Sequence, residues 1–167
     1  TITAAPVNGR VCFGEKTGSA VATAAGGTGE YTYAWSNGQT GQNATNLAGG
    51  TYRVSATDGN GCTATTNVVI LENDPIIITE AVSKPLCFDE SDGSINVNVS
   101  GGAGNYTYAW STNESTKDIS NLSSGTYFLT VTDMDGCQAI KGITLGQPPL
   151  IGLNVTTTSA SDLNSAD

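Results

Sequence analysis

Tyr31-Thr32-Tyr33-Ala34-Trp35-Ser36 and Tyr106-Thr107-Tyr108-Ala109-Trp110-Ser111 are two occurrences of one pattern, displaced by 75 positions. In each, the large rings alternate with small or hydroxylated residues. That period of two is the signature of a β-strand, and it puts the aromatics on one face. Moving outward at the same displacement, Cys12 falls on Cys87, Gly26-Gly27 on Gly101-Gly102, and Gly50-Thr51-Tyr52 on Gly125-Thr126-Tyr127. Thr57-Asp58 and Gly61-Cys62 recur as Thr132-Asp133 and Gly136-Cys137. A gapless register of this kind identifies two copies of one module.

The residues between these anchors also read as strands and turns. Ile95, Val97 and Val99 alternate with Asn96, Asn98 and Ser100, as do Tyr127, Leu129 and Val131 with Thr126, Thr130 and Thr132. Gly26-Gly27-Thr28-Gly29, Ala48-Gly49-Gly50 and Asp58-Gly59-Asn60-Gly61 supply turn chemistry between them. No stretch keeps a 3.6-residue rhythm. Short strands with turn signals at this spacing predict an all-β fold: two tandem immunoglobulin-like β-sandwich modules, over residues 1–75 and 76–149. Pro148-Pro149 is followed by an apolar run resembling the one after Pro75, and Ser165-Ala166-Asp167 aligns with Glu90-Ser91-Asp92. Residues 150–167 therefore read as the start of a third copy or a tail, and the chain as a piece of a longer array.

Composition narrows the function. Charged residues make up 13% of the chain, and 15 acids against 6 bases give a net charge of −9. Phosphate backbones would repel such a chain, which argues against nucleic-acid binding. No apolar run approaches the ~20 residues of a membrane helix, so insertion of this segment into a bilayer is not expected. Histidine is absent, which removes the commonest general base and the Ser-His and Cys-His pairs. No other catalytic motif is present, and the expectation is a chain that is not an enzyme.

The four cysteines, Cys12, Cys62, Cys87 and Cys137, form two pairs at matched positions of the repeat. Three connectivities exist. One of them, Cys12–Cys62 with Cys87–Cys137, closes each module on itself and would support a thin core. One internal disulfide per module is the expectation, with free structural thiols as the alternative. Zinc would require closely spaced ligands, which are missing. Disulfides imply an oxidising, extracellular setting.

Taken together, Cys-x-Gly, the Gly-Gly turn, Tyr-Thr-Tyr-x-Trp-Ser, Asn-Leu-x-x-Gly-Thr-Tyr and Thr-Asp-x-x-Gly-Cys resemble the SprB-type repeat of very large surface adhesins of gliding Bacteroidetes. The resemblance covers both copies. It implies secretion, display at the outer-membrane-associated cell surface, and a role in adhesion during gliding motility. The first copy departs from the pattern by ending Glu72-Asn73-Asp74-Pro75 where the second has Gln147-Pro148.

The remaining candidates are acidic and aromatic. Asp58-Gly59-Asn60-Gly61 and Asp133-Met134-Asp135-Gly136 begin like a calcium loop but lack its distal glutamate. Asp89, Glu90 and Asp92 would join Asp133 and Asp135 in a weak calcium set if a Cys87–Cys137 bond drew the loops together; the competing reading is a solvated acidic patch beside an ordinary β-turn. Trp35 and Trp110 read as core anchors in preference to a sugar platform. Phe128 replaces Arg53 and is either a partner contact or a contact between modules. Asn-x-Ser/Thr matches at Asn43, Asn105 and Asn113 arise from composition. The expected function is a spacer and adhesion array whose partners are neighbouring repeats and surface polysaccharide. The alternative is a calcium-assisted module binding glycan or protein; no other cofactor is expected.

Overall fold

The structure is a computed structural model and describes residues 1–156. The first repeat contains β1 (Ile2–Asn8), β2 (Arg10–Val11), β3 (Gly18–Ala24), β4 (Thr32–Trp35), β5 (Asn43–Leu47), β6 (Gly50–Thr57) and β7 (Thr63–Glu72). Three strands form one sheet in the order β1-β3-β5, and four form the other in the order β2-β7-β6-β4. β1 and β2 are successive pieces of one edge segment that changes sheets. Its first piece runs antiparallel to β3, and Arg10–Val11 then runs parallel to Leu71–Glu72.

The second repeat repeats the plan with β8 (Ile77–Ser83), β9 (Gly93–Ser100), β10 (Thr107–Trp110), β11 (Ile119–Leu122), β12 (Gly125–Thr132) and β13 (Gln138–Leu145). Its sheets are β8-β9-β11 and β10-β12-β13. The counterpart of β2 is missing, and the sequence supplies the reason. Pro85 stands where Arg10 is, and Pro148 stands where Asn73 donates its backbone N–H to the Val11 carbonyl. Proline has no N–H to give to such a ladder. Among the described residues there is no helix that could cross a membrane.

The alternating patterns place the cores as expected. Trp35 sits opposite Val54, and Trp110 opposite Leu129. Both indoles are 4% exposed, and their Nε1 groups donate to the carbonyls of Gly41 and Thr116. A buried indole N–H needs such a partner. Tyr52 and Tyr127, near the starts of β6 and β12, reach back to the carbonyls of Ala48 and Ser123, four residues upstream. This is the tyrosine corner of immunoglobulin-like sandwiches, and the fold is immunoglobulin-like, all-β. Each repeat has its own buried cluster, one around Trp35, Leu47 and Ile70 and one around Trp110, Leu129 and Leu145.

The pairing of the cysteines corrects the expectation of one internal disulfide per module. The bond joins Cys12 to Cys137, with Cα atoms 5.4 Å apart, so it links one repeat to the other; Cys62 and Cys87 are free and exposed. The topology explains why. Cys62 immediately precedes β7, whereas Cys12 lies beside its far end, where Val11 pairs with Glu72. Ten residues of strand separate these ends by about 33 Å, several times the reach of a disulfide. In the second repeat Cys137 precedes β13, while Lys84 and Pro85, just before Cys87, lie against its far end at Gly146 and Leu145 through the Gly93 and Gly146 contacts.

Candidate functional site

The place where chemistry accumulates is the joint between the sandwiches. Glu72-Asn73-Asp74-Pro75-Ile76 passes from β7 to β8, and both repeats close on it. The Asn73 N–H donates to the Val11 carbonyl at 2.9 Å, and the Gly14 N–H donates to Glu72 Oε1 at 2.8 Å. These bonds hold the Cys12 loop against the linker. On the opposite side the Gly102 N–H donates to the Asp74 carbonyl at 3.0 Å. A Cβ added to Gly101 would stand 1.9 Å from the Pro75 carbonyl oxygen, so only glycine fits there.

Asn73 is the polar centre of the joint. It is 5% exposed. The Arg10 guanidinium donates to its side-chain carbonyl at 2.8 Å, and its amide donates to Asp135 Oδ2 at 2.9 Å. Arg10 belongs to the first repeat and Asp135 to the second, so one buried amide connects a cation and an anion across the interface. The amide also lies 3.5 Å from the Cys137 sulfur. A cleft of about 470 Å³ opens beside this group, lined by Asn8, Thr17 and Glu15 as well as the disulfide.

The acidic turns serve the backbone. Asp133, 5% exposed, accepts from the N–H groups of Ala103, Asp135 and Cys137 at 2.8–3.0 Å. Asp58 does the same with Thr28, Asn60 and Cys62. The Cys62 N–H, followed by that of Thr28, holds the Asp58 carboxyl below its ordinary value near 3.8; partial desolvation opposes them, and Asn60 and Gly61 add smaller contributions. Burial raises the Tyr108 phenol above 10.0, with Tyr106 and Asp118 acting in the same sense.

The five acids of the calcium set do not converge. Asp133 is occupied by N–H donors, and Asp135 is engaged by Asn73. Asp92 accepts from the Leu86 N–H within its own loop, and Asp89 sits at a positive φ of 59°. Their proximity depended on a Cys87–Cys137 bond, and Cys137 is bonded to Cys12 instead. Among the described residues no group of three His, Cys, Asp or Glu side chains could hold a metal ion. Phe128 is 54% exposed on the outer face of β12, with its ring beside Gly142, which faces it across the ladder. The joint itself was not legible as a site. Its best signal, the Glu72-Asn73-Asp74-Pro75 departure between copies, reads in sequence as a simple strand breaker.

The family model of the SprB repeat matches residues 3–40 and 79–115. The chain carries two tandem SprB repeats. The repeat is of a cell-surface, adhesin-associated kind, and a formed disulfide persists in an oxidising environment. No curated protein matches the sequence. Solved structures similar to the SprB-repeat chain include a C-terminal 282-residue fragment of intimin in complex with the intimin-binding domain of the translocated intimin receptor, at 16% identity and a TM-score of 0.43, covering 87% of this chain and 63% of that one. A three-Ig segment of titin is similar at 14% identity and a TM-score of 0.43, covering 87% and 64%. Murine CEACAM1b is similar at 11% and 0.35, covering 89% and 100%. The chain spans less than two thirds of the intimin and titin fragments.

Proposed function

We propose that this chain is a load-bearing spacer within a large extracellular adhesin of the outer-membrane surface, serving attachment and gliding motility, and that it performs no catalysis. The observation that carries this reading is the bond between Cys12 and Cys137 across the joint. A pair of independent binding modules has no need of a covalent clamp between them. A spacer does, because its task is to keep neighbouring units in line under tension. The relay from Arg10 through the buried Asn73 amide to Asp135 and the Gly101–Pro75 approach fix the same alignment without covalent chemistry. The absence of histidine from the chain and the engagement of Asp133 by backbone donors are consistent with a structural role.

Stretching single molecules between their ends tests the reading. With the bond intact, force entering at Thr1 reaches Cys12 and crosses directly to Cys137. The intervening segment, a sequence separation of 125, carries no load. At ~3.5 Å per extended residue the reduced chain should release roughly 440 Å more than the oxidised one. Equal extension with and without reductant overturns the proposal.

A further inference from the structure

We propose that Cys62 and Cys87 are two halves of further bonds of the Cys12–Cys137 kind, Cys62 receiving the first cysteine of a preceding repeat and Cys87 the second cysteine of a following one. The inference rests on the tandem-spacer reading and extends it to a ladder in which every joint is clamped. Its starting point is the repeat register. Cys12 and Cys87 are equivalent, as are Cys62 and Cys137. The bond that forms joins the first cysteine of one copy to the second cysteine of the next, and each free thiol is the half that this rule leaves over.

The surface around Cys62 carries the inference further. At the leading end of the first repeat lies a cleft of about 400 Å³, lined by Thr1, Gly26, Gly27, Asp58, Cys62 and Ala64. Their equivalents in the second repeat are Ile76, Gly101, Gly102, Asp133, Cys137 and Ala139. Those are the residues on which the linker and the Cys12-Phe13 loop sit: Gly101 against Pro75, Gly102 bonded to Asp74, and Cys137, Ala139 and Ile76 lining a crevice with Phe13. Cys62 is presented in the same way as Cys137, because each backbone N–H donates at 2.9 Å to Oδ1 of the aspartate four residues earlier. Burial is the difference. Cys137 and Asp133 are 6% and 5% exposed under the joint, whereas Cys62 is exposed. Gly26 has nothing within 4 Å of an added Cβ, where Gly101 meets Pro75. The first repeat thus has an unoccupied socket built like the occupied one.

The trailing end carries the matching plug. Leu86, Cys87 and Phe88 correspond to Val11, Cys12 and Phe13. Leu86 is 81% exposed; Val11 is 2% exposed because it packs into the core of its own repeat, a place that the missing β2 ladder denies to Leu86. An exposed apolar pair flanking an exposed thiol is the chemistry of a contact surface, and the occupant it fits is a socket like that around Cys62. Bond formation is a thiol–disulfide exchange. Each new S–S bond gives up two protons and two electrons to an oxidant disulfide, which leaves as two thiols.

The test mixes two single variants, C62S and C87S, each of which keeps the Cys12–Cys137 bond, in oxidised glutathione. The mixture should give a covalent dimer whose peptide map shows a Cys87–Cys62 link, at least tenfold in excess of Cys62–Cys62 and Cys87–Cys87 species. Like pairs forming as readily as unlike pairs overturn the proposal. Because the mixed contact lacks its linker, a second arm joins one chain, cut after Leu150, directly to Thr1 of a full chain, which preserves the repeat register. Mass mapping should then find Cys87 of the first copy bonded to Cys62 of the second. Full alkylation of both thiols, with Cys12–Cys137 formed in each copy, overturns the proposal while leaving the stretching result of the preceding section intact.

Discussion

Asn73 donates its side-chain amide to the carboxylate of Asp135 at 2.9 Å, and this single contact ties the linker of the first sandwich to the acidic turn of the second. Its carbonyl is meanwhile taken by Arg10. Removing the amide loses both charge-assisted hydrogen bonds and hands the two exposed partners back to water. Asn73→Ala should therefore cost about 1–3 kcal/mol in denaturant unfolding. In a double-mutant cycle Asn73→Ala and Asp135→Ala should be non-additive, whereas Asn73→Ala and the remote Lys141→Ala should add.

Gly26 and Gly101 offer a matched pair for weighing the joint. Their φ values are 77° and 82°, so an alanine at either meets the same backbone penalty. Only at Gly101 does the added methyl collide with the Pro75 carbonyl. Gly101→Ala should exceed Gly26→Ala by about 1–3 kcal/mol in thermal or denaturant melts. Equal losses would mean that the linker does not press on that turn.

The Asp58 turn sets an acid sensitivity. A carboxyl whose folded pKa is depressed adds stability that is complete above its unfolded value, near 3.8, and disappears as pH falls through the lower folded value. Thermal melts from pH 5 downward should show this loss in the native chain and a shallower one in Asp58→Asn, which cannot titrate. Asp133, buried with three N–H donors, is the costlier residue to delete. Asp133→Ala should lose on the order of 3 kcal/mol.

The two cores are unequal. Ala20, Ala22 and Ala44 line the first, where Ile95, Val97 and Ile119 line the second, and Val54 and Ala56 face Leu129 and Val131 in the same comparison. Each buried methylene adds about 0.8 kcal/mol. With the Cys12–Cys137 bond reduced, the first repeat should unfold at a lower temperature than the second. Trp35 and Trp110 report on them separately when the other is changed to Phe.

The strands, both cores and the tryptophan anchors were legible because they depend on local alternation, which a single copy already displays. Tyr31-Thr32-Tyr33-Ala34-Trp35 fixes a face by itself, and its recurrence at Tyr106 confirms the register. The sulfur pairing was not legible. Equal spacing within each copy favours closing a module on itself, yet the distance between Cys12 and Cys62 is set by the direction of β7, which no local pattern encodes. The calcium set leaned on the same pairing, since a Cys87–Cys137 bond was what would have encouraged the Asp89 loop to lie beside Asp133. Asn73 escaped notice because its value lies in being buried between two units, and burial at a joint leaves no periodicity.

The order in which the thiols are synthesised gives the 125-residue span of the bridge one more consequence. Cys12 and Cys62 emerge first, and an oxidant meeting them on a still-unfolded chain would weld the wrong couple. Once the first sandwich has closed, the length of β7 holds them out of reach of each other, and Cys12 waits for a sulfur that has yet to be delivered. Correct maturation therefore requires folding to outrun oxidation, or an isomerase to undo the premature weld.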